Sequence, residues 1–137
     1  MTTYLLDTNA LSELVRNPRG PVARESRLKA LDQKTRILTS IIVACEMRYG
    51  VAKKGSPILE ERVDLMLAAL EVAPLTQGVE AKYAALRVDL ERRGQTIGAN
   101  DMLIAAHALE LDAVLVTDNV REFKRVKGLR VENWLRA

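Results

Sequence analysis

The sequence predicts an α/β fold, a short parallel sheet with helices on both faces. Three observations carry this expectation. Short apolar runs alternate with longer amphipathic segments along the whole chain, the pattern of successive strand and helix units. Two of those runs, YLL at 4–6 and AVLVT at 113–117, hold scarcely a polar side chain, which suits strands buried inside a sheet. The segment NDMLIAAHALEL is apolar almost all round, so it reads as a helix enclosed by the rest of the molecule.

Taken in order, the strand at 4–6 leads into a helix over 8–16, which the NPRGP segment ends with two prolines and a glycine. A second helix runs through ARESRLKALDQ. Residues 36–39 form the second strand, followed by a helix through IIVACEMRYGVA that stops near the KKGSP turn. Helices over 58–71 and 79–93 flank VAPL, the third strand. The apolar helix follows the RRGQTIG loop, the 113–117 strand comes next, and GLRVENW closes the sequence as a short edge strand.

With 137 residues the chain suits a single domain, 1–137, able to bury a core without disulfide or metal staples. A hydrophobic fraction of 48% with 28% charged residues excludes a disordered chain. The longest apolar run, LMLAAL, is far too short to span a membrane, and the first residues lack the basic and apolar regions of a signal peptide. The expected compartment is the cytoplasm, and the single Cys45, which has no disulfide partner, agrees. Net charge is only +3, but basic residues gather at 16–36, at Lys53 and Lys54, at Arg92 and Arg93, and over 121–130. Val63, Leu67 and Leu70 share one helix face, read first as a core stripe and second as a dimer seam.

Four positions carry the chemistry. Asp7 directly follows the first strand, at the edge where an open parallel sheet forms its ligand crevice. Asp118 and Asn119 repeat the arrangement after AVLVT. Each could equally cap a helix or make a turn. Glu46 lies four residues after Ile42 and three before Tyr49, among residues of an apolar helix stripe, where a carboxylate needs a partner. Asp101 sits at the start of the most apolar helix, where an acid also complements the helix dipole. A parallel sheet can gather all of these at one crevice, and clustered carboxylates repel unless a cation holds them. Hard oxygen donors without a Cys/His set select Mg²⁺ or Mn²⁺, ions that bind substrate phosphates and assist phosphodiester hydrolysis.

The segments LLDTNALSEL, LTSIIVACEMRYGV, IGANDMLIAAHAL and AVLVTDNVREFKRVKGLRVENW, in that order, resemble those of PIN-domain ribonucleases, and more narrowly the VapC-type toxins of bacterial toxin–antitoxin pairs. The resemblance implies a three-layer α/β/α sandwich, with Asp7 and Asp101 as metal ligands and Glu46 completing the acidic cluster, partly through water. It also implies a homodimer, an RNA substrate, with transfer RNA the leading class, and inhibition by a VapB-type antitoxin lying across the site. Asn119 departs from the family pattern, which often has an acid there, so the catalytic set becomes Asp7, Glu46, Asp101 and Asn119, with less charge for a second ion.

Rival readings are poorer. A metal-free nuclease would need a pair of acid–base groups, usually histidines, and His107 is the chain's one histidine. GVAKKGSP spaces two glycines like a phosphate loop but has Ser56 and Pro57 where lysine and a hydroxyl residue are required. A non-catalytic binding module would have no need of three acids.

Overall fold

The apolar runs become strands. β1 (Thr3–Leu6) and β4 (Ala113–Val116) are buried at every position and lie side by side, with Leu6 opposite Val116. β2 (Arg36–Ser40) pairs with the other side of β1, placing Thr39 opposite Leu6. The edges are short: β3 (Glu71–Ala73) beside β2, and β5 (Val131–Glu132) beside β4. Brief edges leave few unpaired backbone groups to recruit another chain. The computed structural model describes residues 1–136. All five strands run parallel in the order β3-β2-β1-β4-β5.

Among the described residues seven helices surround the sheet: α1 (Thr8–Arg16), α2 (Pro21–Ala30), α3 (Ile41–Lys54), α4 (Pro57–Ala69), α5 (Val79–Arg92), α6 (Ala99–Glu110) and α7 (Val120–Phe123). The chain steps from β1 outward to β2 and β3, then reverses to β4 and β5, so right-handed crossovers fall on opposite faces and give the three-layer sandwich. The reversal has a chemical consequence. It opens a gap beyond the carboxyl ends of β1 and β4, the switch point at which open α/β sheets bind ligands.

Local chemistry sets the boundaries. Pro21 occupies the first turn of α2, where its missing N–H is not needed, so this helix starts earlier than the ARESRLKALDQ reading and ends at Ala30. Pro74, which cannot donate to a ladder, stops β3 at Ala73 and shifts that strand toward Glu71 relative to the expected VAPL. Gly55, at φ +64°, ends α3 in the left-handed conformation that glycine adopts without penalty. The short α7 falls where the sequence showed only a basic run.

Val63 on α4 is fully buried, and Leu67 and the C-cap Leu70 are partly buried against the core, so the core-stripe reading accounts for all three. The exposed apolar side chains of α3, α4 and α5 are others, Ile41, Tyr49, Ile58, Leu65 and Val88. Among the described residues no helix is long and apolar enough to cross a membrane.

Candidate active site

Asp7 is the N-cap of α1 and is only 4% exposed. Its backbone N–H still donates to the Val116 carbonyl at 2.9 Å, so the residue is pinned to the end of β4 before the chain turns into the helix. Oδ1 accepts from the Thr8 N–H at 2.7 Å and Oδ2 from the Thr117 hydroxyl at 2.9 Å. Asp7 therefore caps α1 and lines the crevice at the same time. Burial pushes its carboxyl above the ordinary carboxylate range, the two hydrogen bonds pull it back, and the nearby charge of Glu46 pushes it up again.

Thr117 organises the floor of the crevice. It is fully buried, and its hydroxyl has a single proton, which serves Asp7. As an acceptor it takes the Asn9 side-chain amide at 3.1 Å and the Asn119 backbone N–H at 3.0 Å. Asn9 returns the link, its Oδ1 accepting from the Asp118 N–H at 2.9 Å. One hydroxyl thus locks the turn after β4 to the start of α1.

Glu46 reaches the same crevice from α3, where it is half-buried and accepts from the Thr8 hydroxyl at 2.5 Å. Its placement differs from the expected stripe. Val43, Met47 and Val51 form the buried face of α3, while Tyr49 is 66% exposed, so Glu46 lies at the margin of the apolar face, turned toward α1. Arg48 pairs with Asp64 and leaves Glu46 alone.

Asp101, in the first turn of α6, lines the crevice with Asp7, Glu46 and Asn119. Its carboxyl is pushed up to about 6, first by burial, then by the charges of Asp7, Glu46 and Glu122 in that order. Acids from β1–α1, α3 and α6 thus sense one another across one cleft. Arg16 is the only basic side chain among the described residues lining it, and it is tied to Glu13 at 3.3 Å.

Asp118 and Asn119 both line the crevice and differ in their partners. The Asp118 carboxylate is committed to the chain's C-terminal segment, accepting from Asn133 at 3.0 Å and Arg136 at 2.9 Å, and the Arg136 guanidinium holds it below its ordinary range. Asn119 donates its amide to Glu122 at 3.1 Å. Glu122, which the sequence reading missed, is not in the crevice lining, but its charge reaches Asp101 more weakly than those of Asp7 and Glu46. A four-residue α7 carries no periodicity that could have pointed to it. Replacing Glu122 by Gln should lower the Asp101 pKa, though by less than Asp7→Asn would, because Glu122 is the weakest of its three charged neighbours. A carboxyl-carbon NMR titration measures this; an unmoved Asp101 would show that the Glu122 charge does not reach it.

Other expectations are corrected. Arg130 donates to the Asp112 carbonyl at 2.8 Å, before β4 begins, and so lies at the opposite end of the sheet from the crevice. Lys127 pairs with Asp89 on α5 at 3.4 Å, and Arg125 donates to the Thr96 carbonyl at 3.1 Å. The 121–130 run is therefore not one surface facing the site. His107 is buried and absent from the crevice lining.

The donor set is all hard oxygen, with no Cys or His among the described lining residues, which fits a divalent cation of the Mg²⁺ class. No group of three His, Cys, Asp or Glu side chains among the described residues is already arranged to hold a metal ion.

Known proteins resemble this chain over nearly its full length. The family model described as "PIN domain" matches residues 4–129. Ribonuclease VapC2 of Rickettsia felis is 38% identical over 132 residues, spanning 96% of this chain and 97% of that protein. The tRNA(fMet)-specific endonuclease VapC of Salmonella typhimurium is 31% identical, spanning 98% of this chain and 99% of its own. Among solved structures, VapBC2 from Rickettsia felis bound to a DNA fragment from its promoter superposes with a TM-score of 0.89 at 35% identity, covering 97% of this chain and 99% of that one.

Proposed function

The chain belongs to the PIN-domain family, in its VapC branch, and from that premise we propose that it is a Mg²⁺- or Mn²⁺-dependent endoribonuclease, the toxin of a toxin–antitoxin pair. The observation that carries the reading is the convergence of Asp7, Glu46 and Asp101 on one cleft that has a single basic side chain among its described lining residues; there burial first, and neighbouring negative charge after it, raise the Asp7 and Asp101 carboxyls, and a divalent cation would offset both. Asp7 and Asp101 would hold the ion. When bound, it supplies Lewis-acid polarisation of the scissile phosphate and a lowered pKa for water.

The protein's own groups do the rest. Glu46, fixed by the Thr8 hydroxyl, orients the attacking water and takes its proton. Thr117 and the Thr8 N–H keep Asp7 ionised against its burial. Arg16 at the rim contacts the RNA backbone, and Asn119 holds Glu122, whose charge reaches Asp101. The products carry a 5′-phosphate and a 3′-hydroxyl, and the substrate class is transfer RNA, in line with the Salmonella relative's name.

A VapB-type antitoxin fits the surface next to the site. A groove between α1, α3 and α4, lined by Val15, Met47, Val51, Leu59 and Val63, runs into the crevice at Thr8, Ser12, Arg16 and Glu46. An apolar segment laid in it would reach the acids. A homodimer and a cytoplasmic location complete the reading.

Incubating the purified protein with total transfer RNA and Mg²⁺, then sequencing 5′-phosphorylated fragments, tests it. A single dominant cut that EDTA suppresses and a cognate antitoxin blocks is expected. Undiminished cutting in excess EDTA would overturn the mechanism.

A further inference from the structure

We infer that His107 is a positioning residue, the buried strut that holds the Glu46 helix and the Asp101 helix at a fixed spacing by its bond to Ser40. The inference rests on the nuclease reading for its activity readout but stands on geometry. His107 is 1% exposed, in the heart of α6, and its Nδ1 lies 2.8 Å from Ser40 Oγ. Ser40, also fully buried, ends β2 and caps α3, accepting the Ile42 N–H at 3.1 Å. Asp101 lies six residues before His107 on one helix, and Glu46 six residues after Ser40 on the other. The two side chains that meet are thus the internal anchors of the two helices that carry crevice acids.

Ser40 Oγ, with one proton and two lone pairs, accepts from Ile42 and can still bond Nδ1 as donor or as acceptor, so either ring tautomer keeps the link. Nε2 has no partner at hydrogen-bond geometry among the described residues. Burial pushes the imidazole below its ordinary range, so it stays neutral and costs no buried charge. An imidazole here does what a leucine could not. It fills the space between the helices and fixes their register through one directional bond.

Outer residues that orient metal-binding or catalytic side chains typically change affinity or rate by about 10–100-fold when replaced. His107→Leu keeps the volume and loses the bond; His107→Asn restores a polar atom near the Nδ1 position. Three quantities are measured: kcat and KM on transfer RNA, Mn²⁺ affinity by calorimetry, and the melting temperature. The expected result is a folded Leu variant with kcat and Mn²⁺ affinity each reduced about tenfold or more, KM nearly unchanged, and substantial recovery in the Asn variant. Wild-type Mn²⁺ affinity and kcat in the Leu variant, or no recovery with Asn, would overturn the inference. Should the Leu variant not fold, Ser40→Gly removes the same bond where glycine is well tolerated at an N-cap, and the same two outcomes decide. A wild-type protein that cuts no RNA would sink the nuclease reading alone, because Mn²⁺ affinity still tells whether His107 sets the spacing of the acids.

Discussion

Asp101→Asn is expected to abolish cleavage, by about 1000-fold or more, and to raise the melting temperature of the metal-free protein at pH 7.5. Both effects have one cause. The carboxyl of Asp101 is held at about 6 by burial and by Asp7, Glu46 and Glu122, against an ordinary value of 3.8. Between those two values the folded protein binds more protons at this site than the unfolded chain does. Its stability contribution is thus complete below 3.8 and is lost as pH rises toward about 6, leaving the full penalty at neutral pH. The pKa difference bounds that penalty at about 3 kcal/mol, and solvent at a half-buried carboxylate screens it to about 1–2 kcal/mol. For a domain of this size the gain in the Asn variant is about 3–6 °C, measured in EDTA against wild type. The gain should shrink as pH falls through about 6 and vanish only well below 3.8, where Asp101 is neutral in both the folded and the unfolded state. An Asn variant that melts lower than wild type in EDTA at neutral pH would show that the acids do not repel, and the metal reading would fall with it.

Asp7→Asn is a less clean test of the same idea. The Asp7 carboxylate accepts from both the Thr8 N–H and the Thr117 hydroxyl, and an amide must turn its NH₂ toward one of these donors. Loss of activity there mixes lost ligation with a damaged helix cap. Asp101 has no hydrogen-bonded partner of that kind, so its replacement isolates charge.

The sequence was most informative where a crevice residue is also an element boundary. Asp7 and Asp101 stand at a strand end and a helix start, and a parallel sheet then has one edge on which to place them. Glu46 was found through an argument the structure corrects. The spacing to Ile42 and Tyr49 suggested an apolar stripe, but the buried face of α3 runs through Val43, Met47 and Val51, with Glu46 beside it. A run of fourteen residues with apolar groups on most sides does not reveal which of them faces the core. The partners of Asp118 are not legible in the sequence, because Asn133 and Arg136 return to that turn only through the pairing of β5 with β4. The same pairing sends Arg130 to the far edge of the sheet, so a basic run that looks continuous in sequence is divided in space. Long-range partners, not local propensity, decided each of these points.

Thr117→Val tests the proposition that the site depends on a single buried hydroxyl. Valine keeps the shape but removes the donor to Asp7 and the acceptor for Asn9 and the Asn119 N–H. Leaving the buried Asp7 carboxylate and the part-buried Asn9 and Asn119 groups without that partner should cost about 2–3 kcal/mol, or about 5–10 °C in melting temperature. A stability loss alone would say nothing about function, so a second readout is needed. The Thr117 bond favours the ionised form of Asp7, and without it the carboxyl moves further up. Protons and a divalent cation compete for the same carboxylate, so Mn²⁺ affinity in the Val variant should fall below wild type by a margin that widens as pH drops from 8 to 6. Thr117→Ser, which retains the hydroxyl, should recover both stability and the wild-type pH dependence. Parallel affinity curves for Val and wild type across that range would mean that Thr117 supports the fold but leaves the ionisation of Asp7 untouched.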